Sequence, residues 1–442
     1  MKIILRHGCR CFYLSLLILF VFAAEAAAQS SGGSFTLTSH VVAGGGCAPD
    51  GSGGCTQSIG SGNLSVDGTV AEPGAIELVR QPPYSLRGGF WYGTEVATPT
   101  ATNGKVIGRI VDSNGNPVAG AVVRIVGTQN RLTITSADGT YSFSNVETNG
   151  FYTVTPARAN YTFNPFNRSF SQVGNQTEAQ FTGTPTSDNL NPLDTAEYFV
   201  RQQYVDVLGR EPDEAGFNFW SDQFLVCRND ADCIRSRRIA VAAEFFVHQE
   251  FQQSGAFIYN FYEAALSRWP AYAEYAVDRR QVLGGRELEA EKQAFAESFV
   301  RRPQFITRYQ SNTTAESFVD ALLAGAPVNG SGLGGQRSGL ISTYNLGASM
   351  ELSRVLVLRA IADHAGFKQS QYNGAFVLTE YFSYLRRDPD RAGYDFWLNL
   401  LNNSEKPDSS NYHGMVCSFI TSAEYQNRFS SAVTHSNGEC TR

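Results

Sequence analysis

The sequence predicts a chain in two halves, an all-β half followed by an all-α half built from repeats. Three observations predict it. Residues 29–193 hold only 8 Lys/Arg and 10 Asp/Glu, whereas residues 194–442 hold 24 and 30. Short alternating apolar runs separated by Asn-Gly and Asp-Gly fill the first half, the pattern of antiparallel strands and tight turns. In the second half a segment beginning at Phe199 recurs 177 residues later, at Phe376, without a gap. At 442 residues, 42% hydrophobic and 17% charged, the chain has room for two to four domains. It is too apolar for a disordered chain and too polar for a multi-spanning membrane protein.

Residues 1–28 read as a signal peptide. Lys2, Arg6 and Arg10 precede an apolar run from Phe12 to Ala24, and Ala26 and Ala28 form a small-x-small cleavage pattern. The run is too short to span a bilayer, which takes about 20 apolar residues. Cleavage between Ala28 and Gln29 leaves 32 basic and 40 acidic side chains. An acidic balance does not suit nucleic acid, which is bound by Lys and Arg neutralising phosphates. No later apolar stretch is long enough to be a transmembrane segment, so the expectation is a secreted or cell-surface protein.

Six cysteines remain after Gln29: Cys47, Cys55, Cys227, Cys233, Cys417 and Cys440. They fall as three neighbouring pairs along the chain, and in an oxidising compartment proximity reads as three local disulfides. Zinc is the competing reading, but no CxxC occurs and no His stands at ligand spacing. No metal or other cofactor is expected.

Residues 29–100 form a Gly-rich β segment, with a loop that a Cys47–Cys55 bridge would close and a strand at Tyr84 to Gly93. Gly44–Gly46 is not a phosphate loop, because no GK[ST] follows. Residues 104–183 are clearer: strands flank Asn114-Gly115 and Asp138-Gly139, whose glycines supply the positive φ of tight hairpin turns. Tyr141 and Phe143 alternate toward one face. Strands about every ten residues indicate a seven-strand-type antiparallel sandwich. The residues "GRIVDSNGNPVAGAVVRI", "ADGTYSFSNV" and "YTFNP" resemble the carboxypeptidase regulatory-like family, a prealbumin-like β-sandwich. That resemblance implies a non-catalytic spacer or ancillary module and brings no catalytic residue with it.

A polar linker, residues 184–193, leads to a helical region at 194–309 and a second at 310–442. "FVRQQYVDVLGREPDEAGFNFW" returns as "FVLTEYFSYLRRDPDRAGYDFW", and "FYEAALSRWPAYAEY" is a weaker copy in which Glu274 replaces Gly216 and Gly393. Tyr204 and Leu208, with their counterparts Tyr381 and Leu385, are expected on a core-facing helix side. Gly209 would end that helix, and Pro212 suits the first turn of the next. Gly216 and Gly393 would let helices approach, while Phe219, Trp220 and Trp397 would fill the interior. A Phe/Tyr pair six residues apart closes each unit, at Phe245/Phe251, Phe299/Phe305 and Phe419/Tyr425. The half resembles the domain of unknown function 4214, best over 194–309 and again at 371–430. Exported and surface proteins carry this family, so the resemblance implies location more than chemistry.

No HExxH, GxSxG or GxxxxGK[ST] is present. Asp213/Glu214 and Asp388/Asp390 could form a glycosidase pair, but they recur beside Pro212 and Pro389, where acids favour a first helical turn. Arg210, Arg268 and Arg387 occupy one repeat position, where a guanidinium pairs with a carboxylate, caps a helix or meets an anionic glycan. Asp112 to Asn116 reads as a turn rather than a calcium loop. Trp91, with Phe90 and Tyr92, is the aromatic cluster outside a repeat core. The expectation is a non-catalytic protein of adhesion, matrix or carbohydrate contact, with extracellular glycans or surface proteins as partners. The alternative is an accessory subunit of a secreted hydrolase, or an enzyme of unrecognised type.

Overall fold

A computed structural model describes residues 58–60, 64–66, 79–81, 84–86, 103–325, 327, 331–403 and 409–440. The proposed signal peptide, the Cys47–Cys55 pair and the Trp91 cluster lie outside the described residues. The chain divides into two units at residue 100. In the first, β1 (Ser58–Gly60) pairs antiparallel with β2 (Leu64–Val66), and β3 (Val79–Gln81) with β4 (Tyr84–Leu86).

The second unit opens with a two-sheet sandwich of nine strands. One sheet contains β5 (Gly104–Asp112), β8 (Thr140–Val146), β10 (Tyr161–Asn164), β12 (Thr177–Glu178) and β13 (Phe181–Pro185). The other contains β6 (Val122–Gly127), β7 (Arg131–Ile134), β9 (Tyr152–Ala157) and β11 (Arg168–Phe170). Pairing is mostly antiparallel, but β12 and β13 run parallel to β5. Alternation places Val106, Ile110, Val123, Ile125, Tyr141 and Phe143 in the space between the sheets.

Both tight turns are present, with Gly115 and Gly139 at φ 85° and 80°. Neither joins neighbouring strands of one sheet. β5 and β6 belong to opposite sheets, as do β7 and β8. The chain switches sheets beside buried Thr135, whose Oγ1 donates to the Val118 carbonyl and accepts from the Ala121 N–H. The true hairpin is β6–β7, closed near Asn130, whose Oδ1 accepts from Gly127 N–H.

The helices follow as α1 (Ala196–Gln203), α2 (Glu214–Asp222), α3 (Ala231–Val247), α4 (Gln249–Gln253) and α5 (Gly255–Leu266). Then come α6 (Tyr272–Asp278), α7 (Leu288–Val300), α8 (Pro303–Arg308), α9 (Ala315–Gly325), α10 (Arg337–Tyr344) and α11 (Met350–Ala362). The last are α12 (Ala365–Glu380), α13 (Arg391–Asn402), α14 (Ser409–Ile420) and α15 (Ala423–Gln426). Two widened turns with π-type hydrogen bonding, Tyr204–Leu208 and Tyr381–Leu385, extend α1 and α12.

All three copies share a single apolar core, so 194–309 and 310–442 do not bury separate interiors. Residues 310–370 supply α9 to α11, and α11 packs on α5 and α7. Val122, Leu132 and Ile134 of the sandwich join the same core. Arg131 reaches Glu214 with two 2.6 Å bonds, and Arg124 reaches Glu197. The sandwich is therefore docked on α1 and α2. The linker is docked as well: Asn191 is buried and donates to Ala432 O at 2.8 Å, and Asn160 bonds Leu190.

Candidate functional site

The repeat position that carries Arg210, Arg268 and Arg387 is the most chemically loaded in the helical half. Each copy reverses its chain there through one left-handed residue: Gly209 (φ 70°), Ser267 (φ 54°) and Arg386 (φ 54°). Glycine is unstrained in that conformation; Ser267 and Arg386 adopt it at a cost that the surrounding packing must offset. Pro212 precedes the helix instead of entering its first turn. Asp213 stands between them as N-cap and accepts from the Gly216 N–H at 2.9 Å, as Asp390 does from Gly393 at 2.8 Å. A short carboxylate makes an effective N-cap, so the helix begins one residue after it.

The arginine then reaches a carboxylate in every copy. Arg210 bonds Glu250 at 2.6 and 2.9 Å, Arg387 bonds Glu424 at 2.6 and 3.0 Å, and Arg268 bonds Glu274 at 2.7 Å twice. Each guanidinium also lies over a tyrosine ring, at 5.0 Å for Tyr204, 5.3 Å for Tyr262 and 5.5 Å for Tyr381. The third copy reaches this clamp by an exchange. Gln304 occupies the place of Glu250 and Glu424, and Glu274 occupies the place of Gly216 and Gly393. Arg268 touches both, bonding Gln304 at 3.1 Å. The carboxylate has moved while the pairing persists.

Electrostatics make these clamps poor acid–base catalysts. The bonds to Glu250, Glu274 and Glu424 hold the three guanidiniums above the ordinary arginine pKa. Burial pushes the Tyr204 phenol up to about 12 and raises Tyr262 and Tyr381 as well. Groups that hold their protons far beyond neutral pH move none at neutral pH.

The other carboxylates are engaged too. Glu214 holds Arg131, and Asp388 accepts from the Tyr272 N–H at 2.7 Å. Asp112 accepts from Asn114 and Asn116, which lower its pKa and clasp the turn. His248 and His364 cap α4 and α12. Among the described residues no group of three or more His, Cys, Asp or Glu gathers to hold a metal. Cys227–Cys233 and Cys417–Cys440 are bonded, with Cα atoms 5.3 and 5.7 Å apart. No helix among the described residues is long and apolar enough to cross a membrane.

The aromatics divide differently from expectation. Phe217 and Tyr394 take the interior, whereas Phe219 is 58% and Phe396 60% exposed. Adjacent helical residues lie about 100° apart, so α2 cannot bury Phe217, Phe219 and Trp220 together. Trp220 and Trp397 are partly buried against the core, each with an outward Phe edge-on at 5.0 and 5.1 Å. The glycines beside them do allow close approach, for a Cβ on Gly216 or Gly393 would run into the Tyr204 or Tyr381 hydroxyl. Where the sandwich meets the first copy, an open groove of about 620 Å³ runs between Lys105, Ser142 and Ser144 on one wall and Asp213 on the other.

Comparison with known families assigns two segments. Residues 105–182 match the family model of the carboxypeptidase regulatory-like domain, which is the sandwich. Residues 363–429 match that of the domain of unknown function DUF4214. This second match falls on the C-terminal copy, not on the 194–309 segment where the sequence resemblance looked best. The shared clamp, left-handed residue and π-type turn tie the two copies together. No curated protein matches the chain.

Proposed function

We propose that this is a non-catalytic secreted or cell-surface protein that contacts extracellular glycan through its helical repeats. One observation carries the reading: at equivalent repeat positions the ionisable side chains are locked into structural clamps, while Phe219 and Phe396 beside them face outward. Exposed rings next to amide and carboxylate side chains suit the faces and hydroxyls of sugars. The matched families, one regulatory-like and one of unknown function, fit a non-catalytic role in broad terms. The two disulfides suit an oxidising compartment.

The test is a glycan array probed with residues 29–442, followed by the Phe219→Ser/Phe396→Ser double variant. Retention of a defined glycan class, weakened at least tenfold in the variant, is the expected result. Absence of retention on every glycan rejects the reading, and turnover of a retained glycan favours the enzyme alternative.

A further inference from the structure

A second pocket, of about 240 Å³, lies beside the N-terminus of α1 and under the disulfide-held turn at Leu225. Two of its lining side chains are buried polar groups whose bonding is incomplete. Arg238 is 4% exposed; its Nη1 donates to the Leu193 carbonyl, but its Nη2 has no partner. Ser221 is 6% exposed, and its Oγ has none. Buried polar atoms are almost always satisfied, so two orphans on residues that line one pocket need an explanation.

Comparison between repeats sharpens it. Lys292 occupies in the third copy the place of Arg238 in the first. Both cations sit over an equivalent ring, Arg238 over Phe199 at 4.4 Å and Lys292 over Phe257 at 4.6 Å. Lys292 is neutralised by Asp363 at 3.1 Å. Arg238 forms no ion pair among the described residues. Asp194 and Glu439 act on it only from beyond ion-pair distance and its Nη2 stays unbonded, so its burial is costly and a bound anion would supply the missing partner.

The remaining walls define which anion. Helix α1 starts at Ala196 without a side-chain cap, because Thr195 turns its hydroxyl to Pro192 O. Phe224, Leu225 and Ile234 are apolar. Two acids also line the pocket, but both are engaged: Asp194 with Thr434 and His435, and Glu197 with Arg124. With Arg228, which also lines the pocket, cations and acids balance, so the apolar wall rather than net charge selects an organic anion over phosphate. The geometry points to a binding site for a small organic monocarboxylate with an apolar body, its carboxylate between Arg238 Nη2, Ser221 Oγ and the α1 N-terminus. The site does not depend on the glycan reading.

Calorimetric titration of residues 29–442 with propionate, benzoate, glucuronate and inorganic phosphate tests it, in a buffer free of carboxylates. Saturable binding of propionate or benzoate, tighter than that of glucuronate or phosphate, is expected. Arg238→Met should abolish it. Because that buried change can unfold the chain, two further variants carry the test. Ser221→Ala should weaken benzoate several-fold, and Leu225→Glu, at an exposed rim, should weaken it at least tenfold, both with an unchanged melting curve. Failure of every carboxylate to bind overturns the proposal. So does equal or tighter binding of phosphate or glucuronate, or benzoate binding that both variants leave unaltered.

Discussion

Replacing Glu380 by Gln should convert a pH-dependent stability into a flatter one. Glu380 is fully buried at the end of α12, and neither carboxylate oxygen has a hydrogen-bond partner. Burial therefore raises its pKa well above the ordinary carboxylate value. Tyr384, one turn on, feels the same carboxyl but gives its hydroxyl to Gln203 Oε1 at 2.6 Å. Folding must therefore keep Glu380 protonated, while the unfolded chain releases that proton above about pH 4.3. The native state binds more protons in that window, so stability falls as pH rises through it, until the folded pKa is reached. In that window the slope approaches about 1.4 kcal/mol per pH unit. Glu263, pushed up to about 7 by burial, adds a loss of the same sign that ends near neutrality.

Gln has nearly the same shape and no charge to desolvate, and Gln203 already fills the equivalent place in the first copy. Denaturant melts of wild type and Glu380→Gln at pH 5, 6, 7 and 8 isolate the effect, because Glu263 and all other titrations cancel in the difference. The variant's advantage should grow by about 1.4 kcal/mol per pH unit across the lower part of that range. Parallel curves would show that the carboxyl ionises normally in the folded chain, and the assignment of a neutral buried acid would be refuted.

Three further outcomes are expected. Gly216→Ala should destabilise by about 1–3 kcal/mol through overpacking against the Tyr204 hydroxyl, and adding Tyr204→Phe should recover much of that loss in the same denaturant melts. Phe217→Ala should cost about 3–5 kcal/mol and the outward Phe219→Ala below about 1, so equal losses would contradict the assigned helix face. Cys440→Ser should lower stability by about 3 kcal/mol, since it frees a loop with a sequence separation of 23, and peptide mapping should then find Cys417 as a free thiol.

What could be read from the sequence was local, and what could not was the outcome of distant pairing. Asn114-Gly115 and Asp138-Gly139 announce their turns because only the turn's own φ angles matter there. That each turn sends the chain to the opposite sheet depends on Thr135 meeting Val118 and Ala121, a contact no short window contains. The repeat spacing identified Arg210, Arg268 and Arg387 as equivalent, yet Glu250 lies 40 residues from Arg210 and Glu424 lies 37 from Arg387. Superposing the closing Phe pairs would have aligned Gln304 with both acids and exposed the exchange with Glu274. The outward place of Phe219 is legible in the sequence once Phe217 is inside, because the helical period turns residues two apart to opposite sides.

The three copies differ most where polar groups are buried. The position held by Gln203 is Phe261 in the third copy and Glu380 in the second, three solutions to one buried site. The position of Arg238 is Lys292 in the third copy and Tyr412 in the second, where Tyr412 meets the Phe376 ring at 4.9 Å. The aromatic neighbours Phe199, Phe257 and Phe376 stay the same throughout, because all three must fill one shared core. Apolar packing therefore holds the array together and tolerates little change. A lone buried charge stabilises nothing by itself. Lys292 has Asp363 to offset its burial and Tyr412 has no charge to offset, whereas Arg238 has the Leu193 carbonyl but no direct ion pair among the described residues and an unbonded Nη2. That asymmetry is what separates the pocket beside α1 from the clamps, which are complete in every copy.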